Sequence, residues 1–270
     1  MSWAYNNIDI YVTDTENILG ETSVANWVPL SNYGILRGRP ELTLSAVEGD
    51  SITIKKKDGR PMSIDSSRGN AKLSFEILVA DTWVFSNSNT TVYDRIDILL
   101  SILNQIKRVS YKEPGKDAYF YYIVYKTSLT LNDADEKAAT IKVSMDIHPF
   151  EFFFVGNVPI SVSSSETIRN LLPCSLCMPT YVFTGGGKIY LDYGYGDVRP
   201  AVEASTDIPD GITVLDTFTG LVYGLANEDN RNSYMSGLYS DLWIDGNSEV
   251  TVKSTFSEPI IVYTRKGIVR

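Results

Sequence analysis

Strict alternation of apolar and polar positions recurs along most of this chain. It is plain in Ser51-Ile52-Thr53-Ile54, in Lys72-Leu73-Ser74-Phe75-Glu76-Ile77 and in Thr140-Ile141-Lys142-Val143-Ser144-Met145. It returns in Gly187-Lys188-Ile189-Tyr190-Leu191, in Gly211-Ile212-Thr213-Val214 and in Glu249-Val250-Thr251-Val252. A period of two, carried by β-branched and aromatic residues, predicts half-buried strands. Turn signals fall between the runs, at Asp58-Gly59, Asp210-Gly211 and Asp245-Gly246-Asn247.

One segment follows a different period. From Thr91 to Lys107, Val92, Ile96, Leu99, Leu103 and Ile106 recur at helical spacing, and Leu100 widens the stripe. This predicts an amphipathic helix over about 91–107 whose apolar stripe lies on a sheet. Thr91 and Asp94 have the spacing of a capping box. The aromatic run after it, "AYFYYIVYKTSLTL" at 118–131, predicts a central strand buried against that helix.

The pattern divides the chain in two. A first β domain closes at "HPFEFFF", residues 148–154. Residues 155–172 are small and polar and read as a connection or a single strand, with Ser163 to Ser165 its point of greatest flexibility. Beyond Pro179 a second run of strands begins. The expected architecture is mainly β: two β-sandwich domains, 1–154 and 155–270, the first carrying one helix.

Composition narrows the function. The chain has 270 residues, 43% hydrophobic and 21% charged, with a net charge of −9. That is globular composition, and its acidity argues against nucleic-acid binding as the main task, because phosphate recognition needs a dense basic face. The one basic run, Lys55-Lys56-Lys57 with Arg60, surrounds an Asp-Gly turn and reads as solvated. The opening "MSWAYNNIDIYV" lacks the basic head and apolar core of a signal peptide, and no stretch has membrane-helix length, so cytoplasmic synthesis without membrane insertion is expected.

The stretch Leu172-Pro173-Cys174-Ser175-Leu176-Cys177-Met178-Pro179 holds both cysteines at redox or zinc spacing. A closed zinc site needs four ligands, and Cys174, Cys177 and the sole histidine, His148, do not make such a set. Met178 stands where haem attachment needs histidine. A catalytic dithiol sits where a helix follows a strand, whereas here Pro179 and the strand-like "TYVFT" follow. That context favours two buried thiols at a strand entry over a dithiol centre. His148 precedes a proline with no motif supplying a partner and reads as structural. "NDADEK" at 132–137 lacks the glycine and distal glutamate of a calcium loop and reads as a hairpin tip. Gly185-Gly186-Gly187-Lys188 lies between strands, as a turn does. No catalytic, metal or cofactor-binding residues are assigned, and no enzyme activity is expected. Trp243, Tyr193 and Tyr195 are the candidates for an aromatic surface facing carbohydrate, Tyr193 and Tyr195 sharing a face only if their strand runs past Leu191, against which Gly194 and Gly196 predict a turn.

The order of these features resembles the distal tail (Dit) protein family of siphophages and prophages of Gram-positive hosts. Four stretches carry the likeness: "GDSITIKKKDGRPMSIDSSRGNAKLSFEILV" at 49–79; the helix followed by "YFYYIVYKTSLTL"; "HPFEFFF", similar to the family's Pro-Phe-x-Tyr ending with Phe152 in the tyrosine's place; and the second half. In that half "NLLPCSLCMPTYVFTGGGKIYL", "ITVLDTFTGLVYG" and "MSGLYSDLWIDGNSEVTV" look like the family's strand order, although Asn170 is followed by Leu171 where the family has glycine. The likeness spans roughly residues 45–270. It implies a tail-tube-like first domain that forms a hexameric ring, singly or as two rings back to back. It implies a galectin-like second domain, with thiols in a structural position. The implied partners are the tail tube protein, the tail-associated fibre or lysin protein and receptor-binding or baseplate proteins, at a virion tail tip. The alternative expectation is a carbohydrate-binding module that contacts the host cell wall through the second domain.

Overall fold

The computed structural model describes residues 8–15, 19–43, 52–55, 61–64, 71–80, 91–112, 120–132, 137–170 and 175–269. Lys56, Lys57, Arg60, Cys174, the Asp58-Gly59 turn and the tip of "NDADEK" lie outside them. The chain divides into two compact units. One holds Met1–Glu16 and Val24–Glu151; the other holds Asn17–Ser23 and Phe152–Val269.

The first unit is built on the strand Ala138–Ile147, hydrogen-bonded in antiparallel register to Ala71–Ala80 on one side and to Phe120–Asn132 on the other. Short strands Ile35–Leu36 and Glu41–Thr43 complete the far edge of Ala71–Ala80. The N-terminal strand Asp9–Thr13 lies between Val28–Pro29 and Arg108–Lys112, and the latter joins the start of Phe120–Asn132. A separate hairpin pairs Ile52–Lys55 with Pro61–Ile64.

Alternation decides which face is buried. Leu73, Phe75, Ile77 and Val79 on one strand, and Ile141, Val143, Met145 and Ile147 on the next, are all sequestered from solvent. The α-helix Val92–Gln105, the one such helix among the described residues, packs on that face. Val92, Ile96, Leu99 and Leu103 are buried, together with Ile106 just past its end. The helix is slightly shorter than the periodicity predicts: Thr91 is its cap and not its first turn, and at the other end Ile106 is already extended (ψ 130°). Thr91 Oγ1 accepts the Asp94 amide (3.2 Å), and the Asp94 carboxylate accepts the Thr91 amide (2.9 Å). Both orphan donors are thereby satisfied reciprocally.

The second unit has two five-stranded antiparallel sheets. One runs Pro159–Val162, Ile260–Tyr263, Thr180–Thr184, Ile212–Asp216, Leu221–Gly224. The other runs Ser165–Asn170, Ser248–Ser254, Gly187–Asp192, Val202–Ala204, Met235–Ser236. Their inward residues form a single apolar layer, with Tyr181, Phe183, Leu215 and Val262 from the first and Ile189, Leu191, Val250 and Val252 from the second. Two sheets sharing one core make a β-sandwich. Residues 159–170 are two edge strands, one in each sheet, where the sequence predicts a connection or a lone strand. Each buries few side chains, Val162 in one and Ile168 and Asn170 in the other, so alternation is faint.

The glycine run is a tight turn between sheets. Gly185 has φ +69°, a Cβ on Gly186 would sit 2.8 Å from the Thr206 backbone, and one on Gly187 would sit 2.7 Å from the Phe256 ring. Packing, not phosphate, accounts for these glycines.

Replacing Thr91 by Ala removes the cap and is expected to lower stability by about 1 kcal/mol. A thermal melt should show a fall of roughly 2–4 °C, with Thr91→Ser close to the parent. An unchanged melt in Thr91→Ala would refute the capping assignment.

Candidate functional site

The aromatic residues at 193–195 lie where the strand Gly187–Asp192 ends. The strand does not continue past Asp192. The chain instead turns, with the Tyr193 amide donating to the Asp197 carbonyl (2.9 Å) and the Asp197 amide to the Gly194 carbonyl (2.9 Å). Gly194, Tyr195 and Gly196 all have positive φ, at 81°, 53° and 85°. A tyrosine seldom takes that conformation, so the flanking glycines let the turn hold Tyr195 fully out in solvent.

Tyr193 and Trp243 are brought together, and both are engaged by their own unit. Tyr193 Oη donates to the Trp243 carbonyl (3.3 Å), and Trp243 Nε1 donates to the Thr217 carbonyl (3.2 Å). Arg199 lies over the Tyr193 ring, its guanidinium carbon 4.8 Å from the centroid. It also donates to the Trp243 carbonyl (3.1 Å) and pairs with Asp245 (2.7 Å). Burial pushes the Tyr193 hydroxyl up to about 12 despite the nearby Arg199. Tyr193 and Trp243 are thus half-buried struts of a loop junction, while the ring of Tyr195 is exposed.

Cys177 is buried in the strand Ser175–Cys177, which pairs with Lys266–Val269. Its amide and carbonyl are both bonded to Ile244, at 2.9 and 3.0 Å. Desolvation raises its thiol to about 12, with Lys266 pulling weakly the other way. Almost no thiolate exists at neutral pH, so this sulfur is a poor nucleophile and a poor metal ligand. Among the described residues no three His, Cys, Asp or Glu side chains gather closely enough to hold a metal ion.

His148 follows the strand Ala138–Ile147. Its ring stacks on Phe150 (4.9 Å between centroids, 19° between planes), and its Nδ1 accepts the Phe150 amide (3.1 Å). That bond requires an unprotonated Nδ1. Burial agrees, depressing the imidazole to about 4. The histidine holds a bend in the chain.

What the two units define is a mainly β protein with a one-helix sheet unit and a β-sandwich. No family model matches the chain, and no curated protein does. Among solved structures, it is similar to the Dit protein (gp 19.1) of phage SPP1, described as a paradigm of the hub adsorption apparatus in phages infecting Gram-positive hosts. The TM-score is 0.51 and the identity 14%, over 96% of this chain and 98% of that one. Two structures of the phage P2 baseplate in its activated conformation also match. The one with Ca has TM-score 0.46 and 9% identity, the one with Sr 0.44 and 10%; both cover 95% of this chain and 97% of theirs. The shared property is the fold, which is similar to that of SPP1 Dit.

Two measurements check these environments. Iodoacetamide at pH 8 should leave Cys177 unmodified in the folded protein and label it after denaturation, read by peptide mass mapping. For His148, the folded value of about 4 lies below the unfolded value of about 6.5. Between them the unfolded state binds more protons, so its contribution is complete above pH ~6.5 and is lost as pH falls toward 4. Urea melts should show this slope, at most about 1.4 kcal/mol per pH unit, flattened in His148→Gln. An equal slope in the variant would remove His148 as the cause.

Proposed function

We propose that this chain is a structural distal tail protein, the hub of a siphophage or prophage tail, and that it is not an enzyme. The observation that carries this reading is the likeness to phage SPP1 Dit along nearly the whole length of both chains. In this reading residues 1–154 are a tail-tube-like unit that closes into a hexameric ring, singly or as two rings back to back. Residues 155–270 are a galectin-like sandwich. The ring joins the tail tube protein to the fibre or lysin protein and to receptor-binding or baseplate proteins at the tail tip.

Closed rings need two different, complementary faces on each subunit. Sheet edges suit this, since a neighbour's strand completes their backbone hydrogen bonds. The first unit has such edges in Glu41–Thr43 and in the hairpin Ile52–Lys55/Pro61–Ile64. A stable contact of this kind buries roughly 1,200–2,000 Å² in total. A net charge of −9 suits a ring through which a polyanion must pass without sticking.

A second reading, carbohydrate contact through the second unit, is favoured by one observation: Tyr195 stands fully exposed on a turn stiffened by its own hydrogen bonds, beside Tyr193 and Trp243. An exposed aromatic ring on an ordered backbone is a stacking surface that loses less entropy on binding than one on a loose loop.

Light scattering after size exclusion, with negative-stain images of the same peak, tests the hub. The expected result is a particle of six or twelve copies with an open centre. A monomer at tens of micromolar, unchanged when tail tube protein is added, would overturn the ring.

A further inference from the structure

The strands of the second sheet of the sandwich each present one side to the core and one outward. Val250 and Val252 turn inward, leaving Glu249, Thr251 and Lys253 outside; Ile189 and Leu191 turn inward, leaving Lys188, Tyr190 and Asp192 outside. Antiparallel register then fixes the layout. Thr167 stands opposite Thr251, and Thr251 opposite Asp192. In the adjacent row, Lys253 stands opposite Tyr190. Tyr190 thus sits in the middle of a polar face, half-buried along its stem. Val198, bridged to Asp192 and 49% exposed, gives that neighbourhood an apolar border.

The charges of this face cancel in pairs. Arg169 meets Glu249 at 2.7 Å, Lys188 meets Glu203 at 3.1 Å, and Lys253 meets Asp192 at 2.6 Å. In a chain of net charge −9, this surface carries three cations against three anions. Such a face adds no net charge of its own, yet its donors and acceptors are dense. Asp192 Oδ1 accepts the Gly194 amide (2.8 Å) and Oδ2 accepts Lys253, which sets the carboxylate's orientation while each oxygen keeps a lone pair. Lys253 Nζ lies 6.0 Å from the Tyr190 ring centroid, so ring, ammonium and carboxylate are neighbours on this face. The hydroxyls of Thr167 and Thr251, 3.5 Å apart, continue it.

Charge complementarity selects the occupant. An aromatic plane flanked by paired charges and hydroxyls matches a ligand that is uncharged, has an apolar C–H face and is rimmed by hydroxyl groups. We propose that this sheet face binds a neutral oligosaccharide, with one sugar ring on Tyr190 and its hydroxyls bonded to Asp192, Lys253 and Thr251. The inference rests on the carbohydrate reading of the second unit, but it names a different surface from Tyr195 and Trp243 and states the charge class of the ligand.

The test uses saturation-transfer NMR on the full chain with cellohexaose, chitohexaose and maltohexaose as neutral probes and poly(glycerol phosphate) as an anionic one. Binding of a neutral probe at millimolar concentration is expected, weakened about tenfold or more in Tyr190→Ala and in Asp192→Ala, and retained in Tyr190→Trp and Tyr195→Ala. Circular dichroism and the light-scattering mass of each variant separate lost binding from lost folding or assembly. Binding lost in Tyr195→Ala but kept in Tyr190→Ala would leave the carbohydrate reading standing and overturn this site. Binding of the anionic polymer alone would overturn the charge argument. No transfer to any probe would overturn both.

Discussion

The strand Ala138–Ile147 is the member on which the first unit depends, because it is hydrogen-bonded along both edges at once. Its register with Ala71–Ala80 and Phe120–Asn132 lines up three apolar faces as one surface. A slip of one residue on either side would turn Ile141, Val143 and Met145 out to solvent and bring Lys142, Ser144 and Asp146 into the core. The helix stripe has a place to dock only while that register holds. Cap, helix and sheet therefore specify the same arrangement from different parts of the sequence.

The second unit meets the opposite requirement. Its two sheets close on an apolar layer, but the loops that join them need fixed ends, and the buried Arg231 and the partly buried Arg265 supply these. Arg231 is 3% exposed and is held by Asp229 (3.1 Å), the Thr213 hydroxyl (2.7 Å) and the Pro209 carbonyl (3.0 Å). Arg265 takes a positive φ of 40°, pairs with Asp216 at 2.6 Å and lies over Phe218, whose ring meets Phe152 edge-on. Asp216 also accepts the amides of Phe218 and Thr219, so one carboxylate caps a turn and anchors a distant strand end. A planar guanidinium satisfies several acceptors at once, which makes it the economical choice where loop carbonyls converge out of water.

These two constructions bear on function differently. Strand edges and hairpins of the first unit suit self-association, where backbone groups find partners in a neighbouring copy. The sandwich has its loop ends pinned by side-chain contacts. In the proposed hub, the first unit is the one that assembles and the sandwich the one that presents a surface. The Cys177 thiol and the His148 imidazole, which draw attention in the sequence, are both desolvated. Their burial removes the charge states in which they would react.

Much of the fold was legible from residue order. The helix announced itself through the spacing of Val92, Ile96, Leu99 and Leu103 and through the Thr91/Asp94 cap, all local features. The strands at 71–80, 138–147, 187–192 and 248–254 did so through alternation, which survives wherever a strand buries one whole face. Edge strands such as Pro159–Val162 and Ser165–Asn170 were not legible, because they bury too few side chains to leave a period. Cys177 could be judged by the strand that follows it in place of a helix. Partnership, however, was decided only by tertiary structure. That Tyr193 and Trp243 are tied into a junction by Arg199, and that Tyr190 stands among matched charges drawn from four strands, depends on register between segments tens of residues apart. Sequence fixes which residues face the same way along one strand; only pairing of strands fixes which residues they face together.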